Sequence, residues 1–585
     1  MRRDFSLWVA VAIVVAATAA AAQEVTLVPG NGTELAVGQR FDVRAAAPVG
    51  EGVRWRVTLE GVELAPAPAT AGTFVARSLS LARAGSHRLR AEAWRADGTL
   101  AGAAEAALTA REWRGKGGVR NVILLIADGM GHAHRTAARL ALHGLQGGKP
   151  GGWLHMDTLP VEGVLTTSSL SGLVTDSAAG GHALATGTKT ANGMLGVWPD
   201  DTPDRDDDNP RVEQLPGLLW RERRMVSGLV STADLTDATP AAFVAAVADR
   251  GEAAGVVAAY RRAVAEGYLR VLLGGGARRF AGDGPGGLPG EFSGQGFAVV
   301  RSAGQLEQAR QGRAPRLLGL FHDGNMNTEF DRQRRGSPEV VKDFPEQPSL
   351  EAMTRAALAA LSQHPQGFFL MVEGALVDKQ AHQADQERVV WDMLAFDRAV
   401  AAALEFARAT NGDRDPTNDT LVIVTADHET GGLVLPGVVR SDCRASRDCL
   451  LTYDAGGFPT AGDADGDGFP DVVDGERKVA LHFGAGPDRF EDWRAQPRPV
   501  PMALGRVGRD LLIIPNPERD GGSGVWLGGV TPVTVPQRGY APTQTVHTAV
   551  DVPVSAYGPG SAPLAGVRDN TEVFFAIVSA VGGRR

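Results

Sequence analysis

Three apolar runs of this 585-residue chain end in carboxylates and imidazoles. The first leads to Asp128, the second to Glu373 and then Asp378 and His382, the third to Asp427 and His428. Hard carboxylate oxygens mixed with imidazole nitrogens are the material of zinc sites with a harder neighbour suited to magnesium. Asp378 and His382 stand four apart, so on a helix they face the same way and can share one ion. Any one of these residues alone reads as a cap, a surface charge or a satisfied core histidine. Three strand ends delivering ligands together point to metal binding. A nucleophile candidate is Ser177, in Val174-Thr175-Asp176-Ser177-Ala178-Ala179-Gly180. Asp176 or Thr175 reads as a helix cap, and Ala178 to Ala185 can continue as helix. That puts the serine hydroxyl where backbone N–H groups and the helix dipole favour an anion. An ordinary N-cap serine has the same local signature.

The elements that must position these groups follow from periodicity. Val122 to Ile126, Phe368 to Val372 and Leu421 to Val424 are continuous apolar runs, as in strands buried on both faces. Helical stretches lie between them, at Pro240 to Asp249 and Leu350 to Leu361. Strands alternating with helices predict an α/β fold, a mostly parallel central sheet flanked by helices on both faces. In such sheets ligands bind beyond the carboxyl ends of the strands, where the candidate ligands stand.

Residues 23–112 differ. Phe41 to Arg44, Val53 to Val57 and His87 to Ala91 alternate apolar and polar residues between Gly and Pro clusters, which predicts a small immunoglobulin-like β-domain. It holds no catalytic cluster, so adhesion, spacing or stability is its expected role. Residues 1–22 pair Arg2 and Arg3 with a short apolar run and Ala20-Ala21-Ala22, the pattern of a cleaved signal peptide rather than a membrane anchor. A secreted or periplasmic product without a membrane span is expected. The only cysteines, Cys443 and Cys449, most simply close a small disulfide loop in an exported chain. A net charge of −9 argues against a dedicated nucleic-acid partner.

Taken in order, the motifs resemble the alkaline phosphatase family over residues 121 to about 440 and 541 to 580. They are Asp128-Gly129-Met130-Gly131, Thr175 to Ala179 around Ser177, Asp237-Ala238-Thr239-Pro240-Ala241-Ala242, Glu373-Gly374 through Asp378-Lys379-Gln380-Ala381-His382, Thr425-Ala426-Asp427-His428, and His547-Thr548 followed by Ala556-Tyr557-Gly558-Pro559. The resemblance implies hydrolysis of small-molecule phosphate monoesters through a phosphoserine on Ser177. It implies one zinc on Asp378, His382 and His547, a second on Asp128, Asp427 and His428, and a magnesium on Asp128, Thr239 and Glu373. Asp237 would act on the magnesium through ordered water. Arg250, eleven residues after Thr239, matches the family's phosphate clamp. Asp237 with Lys379 resembles the bacterial branch, where Lys379 contacts phosphate through water; a surface lysine is the alternative. The family is commonly dimeric, and the sequence leaves the assembly open.

The resemblance makes residues 113–585 a catalytic domain and fades between about 440 and 540, which reads as an insertion. Inside it, Asp463, Asp465, Asp467, Asp471 and Asp474 occupy positions 1, 3, 5, 9 and 12 of an EF-hand-like spacing, with Gly466 at 6. Flanking helices are not evident, so the choice is a calcium-stabilised surface loop or a solvated acidic turn. The acidic run Asp204 to Asp208 reads as a solvated loop. The rival reaction is that of a phosphodiesterase or nucleotide pyrophosphatase of the same superfamily, which generally lacks the magnesium ligands and clamping arginine. Asp237, Thr239, Glu373 and Arg250 favour the monoesterase.

Overall fold

The computed structural model describes residues 25–582 except 48–51, 70–71, 115–117, 201–208, 283–285, 334–337, 342, 416, 441–449, 452–459, 474–476, 486–502, 508–509 and 515–544. The leader, the acidic run at 204–208, Asp474 and the cysteine pair therefore lie outside the described residues.

The three apolar runs form Asn121–Ala127, Phe368–Gly374 and Thr420–Thr425, each wholly buried. They sit side by side in a ten-stranded sheet. Its order is Ala298–Val300, Leu317–Leu320, Leu269–Gly275, Val226–Asp234, Phe368–Gly374, Asn121–Ala127, Thr420–Thr425, Val552–Tyr557, Val161–Thr166 and Gly566–Asp569. Only Val552–Tyr557 runs against its neighbours. Phe368 to Gly374 pairs in parallel register with Asn121 to Ala127, which pairs in turn with Thr420 to Thr425. This register puts Asp128, Glu373 and Asp427 at one sheet edge. Central strands without a polar face need cover by helices, and the long helices Leu350–Leu361 and Gln386–Gly412, packed against each other, supply it across one side.

Leu350–Leu361 matches its expected bounds, opened by Ser349, whose side chain accepts from the Ala352 N–H. The expected helix over Pro240 to Asp249 does not form. It is confined to Ala238–Ala241, and Val247 instead forms a β-bridge to Leu195. Tertiary pairing overrides a helical run of alanines there.

The described residues between 25 and 113 form two small sheets, one of three strands and one of five. The three-stranded sheet orders Thr26–Val28, Arg40–Ala46 and Thr73–Ser80; the other centres on Gly85–Trp94 between Leu100–Arg111 and Arg54–Leu59. Inward residues such as Leu35, Phe41, Val57 and Leu89 belong to one continuous core with Trp198 and Leu218 of the α/β unit. Arg111 adds a bidentate pair to Glu572 (2.5 and 2.9 Å) and lies 3.9 Å over the Phe575 ring. The two units share a buried boundary rather than a tether.

Candidate active site

Ser177 is the first residue of the helix Ser177–Thr186, and Asp176 is its N-cap, accepting from the Ala179 N–H at 3.0 Å. The serine is buried, and its Oγ lies 3.1 Å from His428 Nε2. Close packing keeps the helix there: a Cβ on Gly180 would come within 3.0 Å of Asp427. Gly129 turns the chain after Asp128 at φ 80°, and a Cβ on it would meet the Asp378 backbone at 2.8 Å.

Two triads gather beside the serine, Asp378–His382–His547 and Asp128–Asp427–His428, with one ligand atom of each residue within 4.8 Å of the others in its triad. In the first, His382 Nδ1 lies 2.6 Å from the Thr545 carbonyl and His547 Nδ1 lies 3.0 Å from the Thr175 carbonyl. A carbonyl only accepts, so both Nδ1 atoms carry a proton and both Nε2 atoms are directed into the triad. Those two nitrogens face each other at 3.0 Å, with Asp378 Oδ1 at 3.3 and 3.4 Å. Two imidazole nitrogens and a carboxylate oxygen converge in a donor set that a divalent cation would suit.

The second triad follows the same logic. Thr430 Oγ1 donates to Asp378 Oδ1 at 2.5 Å, which uses its one proton. Its contact with His428 Nδ1 at 3.2 Å therefore has the ring N–H donating, and His428 Nε2 is the bare nitrogen. That atom stands 3.3 Å from Asp427 Oδ2 and 3.5 Å from Asp128 Oδ1, and neither buried oxygen receives a hydrogen bond among the described residues. Among the described residues Thr239 Oγ1 is also buried without a partner, while Glu373 accepts a short bond from Ser231 Oγ. The donor set fits divalent cations, with imidazoles in both triads and oxygens alone at Asp128, Thr239 and Glu373.

The electrostatics agree. Burial, then the neighbouring Asp427, Asp378 and Glu373 charges, push the Asp128 carboxyl well above the usual range. Burial and Asp378 raise Asp427 to about 6, and burial and Asp237 raise Glu373 to about 7. Burial opposes the ionised form of Asp378, but bonds from His382 and His547 outweigh it and pull that carboxyl down. The pocket is short of positive charge.

Arg250 reaches the rim from the turn after the short helix. Its Nη1 donates to Asp176 Oδ2 (3.1 Å) and its Nη2 to Asp237 Oδ1 (2.8 Å). Lys379 Nζ donates to the other Asp237 oxygen at 2.6 Å. Asp237 is thus an anion held between two cations, its carboxyl below the usual range despite burial. Lys379 is half-buried and tied to Asp237 rather than free in solvent.

A sequence profile described as alkaline phosphatase matches residues 119–444, more than half of the chain. The chain belongs to the alkaline phosphatase family. It is 38% identical over 410 residues to streptomycin-6-phosphate phosphatase of Streptomyces griseus, covering 61% of this chain and 84% of that one. It is 36% identical over 348 residues to the alkaline phosphatase of Escherichia coli (strain K12), covering 53% and 70%. The alkaline phosphatase of Thermus thermophilus superimposes with a TM-score of 0.52 at 27% identity, over 80% of this chain and 92% of that one. As a member of the alkaline phosphatase family the chain is a phosphomonoesterase, and the family is metal-dependent.

All twelve residues named from the motifs around the site are brought to this sheet edge. The motifs missed Thr430, Ser231 and the second role of Asp176. Thr430 was findable: two residues beyond His428 in an extended segment, it returns to the same face. Asp463, Asp465 and Asp471 do cluster in the acidic loop, whose carboxylates accept backbone N–H groups, for example Asp463 from Gly466 at 2.8 Å and Asp471 from Ala464 at 2.9 Å.

The raised carboxyls predict a pH signature for protein stripped of metal. Asp427 and Glu373 titrate above their ordinary 3.8 and 4.5. Between about pH 4 and pH 7 the folded state then holds more protons than the unfolded one, so stability falls as pH rises. Urea unfolding of chelated protein should show that fall, and saturating divalent metal should flatten it; a metal-free stability that rises across this window refutes the charge shortage.

Proposed function

We propose that the reaction proceeds through a phosphoserine on Ser177 at a site holding two zinc ions and one magnesium, and that it releases inorganic phosphate and an alcohol. The observation that carries this reading is the position of Ser177 Oγ: 3.1 Å from a bare histidine nitrogen, on the first turn of a helix whose cap also grips Arg250. The zinc ligands would be Asp378, His382 and His547, and Asp128, Asp427 and His428; the magnesium ligands would be Asp128, Thr239 and Glu373, with Asp237 alongside. When bound, these cations supply Lewis-acid polarisation and neutralise charge on the phosphoryl oxygens.

The chain's own residues do the rest. Arg250 spends one N–H on Asp176 and one on Asp237, which fixes the guanidinium plane and leaves further N–H groups for two phosphate oxygens. The positive end of the Ser177 helix would favour the same anion. Ser177 Oγ forms its bond to phosphorus as the ester P–O bond breaks and the alcohol leaves; water then cleaves the Oγ–P bond. Lys379, held on Asp237, adds positive charge at the edge of the phosphate site.

Our reading of the whole chain is a signal peptide over 1–22, an immunoglobulin-like domain over 23–112, and a catalytic domain with an insertion at about 440–540, exported to the periplasm or medium. Among the described residues no helix is long and apolar enough to cross a membrane.

Ser177→Ala should abolish the phosphoenzyme burst and cut turnover by about a thousandfold or more. Arg250→Ala should lower kcat/KM by about a hundredfold with metal content unchanged. Steady-state and rapid-quench kinetics on a monoester and a diester check both; a persisting burst, or a diester rate rivalling the monoester rate, overturns the proposal. Removing the Thr430 hydroxyl as Thr430→Val should weaken metal retention about ten- to a hundredfold, read by chelator competition.

A further inference from the structure

The role of the β-domain is written in its contacts with the far end of the nucleophile helix. The last carbonyls of a helix have no partner within it. Here the Thr186 carbonyl accepts a bond from Gln39 Nε2 at 2.8 Å, across 147 positions of sequence. Gln39 is fully buried, gives its other amide proton to the Glu213 carbonyl (2.9 Å), and accepts from the Ala36 N–H (3.0 Å). Both amide hydrogens and the oxygen are engaged.

The residues after Gln39 carry the contact further. Arg40 and Asp42 pair with 211–213, the Glu213 N–H donating to Arg40 O and the Asp42 N–H to Arg211 O, both at 2.8 Å. The same segment pairs onward: Val212 N–H to Gly196 O at 3.1 Å, Trp198 N–H to Pro210 O at 2.9 Å. Leu195 and Val247 then exchange bonds of 3.0 and 2.9 Å. The ladder ends at Gly193, whose carbonyl accepts from the Arg250 N–H at 2.7 Å and whose N–H donates to Asp176 Oδ2 at 3.0 Å. A ribbon of backbone hydrogen bonds therefore runs from the β-domain to the two residues that set the nucleophile and the arginine clamp.

We propose that the β-domain is a brace for the phosphate site, holding the Ser177 helix at its C-terminal end through Gln39 and at its N-terminal end through this ladder, with Gln39 as a positioning residue. The proposal rests on the assignment of Ser177 and Arg250 above. A tethered adhesion or spacer module keeps its own core behind a polar, mobile boundary. Here Gln39 and Phe41 are buried on that boundary and the core runs through it.

Coupling of this kind is reciprocal: if the ladder positions the site, anion binding at the site must tighten the ladder. Hydrogen exchange on the full-length, metal-loaded protein with and without saturating inorganic phosphate tests this. Slowed exchange should reach the amides of Val212, Glu213 and Asp42, not only those around Ser177 and Arg250. Protection confined to the site overturns the proposal, and this arm needs no variant to fold. In the second arm, Gln39→Leu should raise the inhibition constant for phosphate and lower kcat/KM, each by about tenfold, with metal content unchanged. Leu89→Ala, which thins the β-domain's own core away from the ladder, should lower Tm and leave the phosphate constant alone. An unchanged phosphate constant in folded Gln39→Leu, or an equal change in Leu89→Ala, sinks the brace. Full turnover in Ser177→Ala would instead sink the site assignment on which it stands.

Discussion

The constraint on which everything else depends is the burial of several carboxylates together, with more acceptor atoms than the neighbouring donors satisfy. Asp128, Asp427 and Glu373 are carboxylates inside a wall of apolar strands; His428 turns its bare nitrogen toward the first two, and His382 and His547 turn Nε2 toward Asp378. Such groups repel one another in a low-dielectric interior, and their protonated forms would be favoured. Cations reverse that preference, which is why a structure costly to keep empty is suited to holding divalent metal. The tautomers that make the nitrogens available are set one shell out, by Thr430 and by the carbonyls of Thr175 and Thr545. The parallel sheet then has one task here, to bring three strand ends into register so that the acceptors meet.

That part of the architecture was legible in the sequence because it depends on local signals. Uninterrupted apolar runs identify strands covered on both faces, and ligand residues directly after them identify the edge where they converge. The helix at Leu350–Leu361 was legible for the same reason, with a serine cap and apolar spacing in agreement. The stretch Pro240 to Asp249 misled because alanine favours helix, whereas Val247 is claimed by Leu195, a partner half a hundred residues away. Backbone carbonyls carry no sequence signature, so the roles of Thr175 and Thr545 could not be read at all. Gln39 is the extreme case: a polar residue in an alternating strand region, it reads as solvent-facing until the fold lays the Ser177 helix against it.

Asp176 shows how the Ser177 helix and Arg250 become one object. One of its oxygens caps the Ser177 helix and the other receives Arg250 together with the Gly193 N–H. A shift of the cap therefore moves the arginine, and a shift of the arginine strains the cap. Asp237 repeats the device on the opposite side, pairing Arg250 with Lys379. Two carboxylates thus orient cations whose remaining N–H groups would meet a single tetrahedral anion in the proposed reaction. Preorganised charge of this kind needs no reorganisation when a phosphoryl group arrives, which is where such sites gain most over water.

A rigid clamp of this design needs a rigid frame behind it, because angular errors in a bidentate contact grow with distance from the support. The α/β sheet supports the metal side through Asp128, Glu373 and Asp427. Arg250 and the serine cap instead hang on loops, 188–198 and 242–250, that the sheet does not pair directly. In this chain those loops are stitched to residues 209–213, and these in turn to the strand after Gln39. The side of the site that would grip phosphate is thus hydrogen-bonded back to the β-domain, and the side that would grip metal stands on the central sheet.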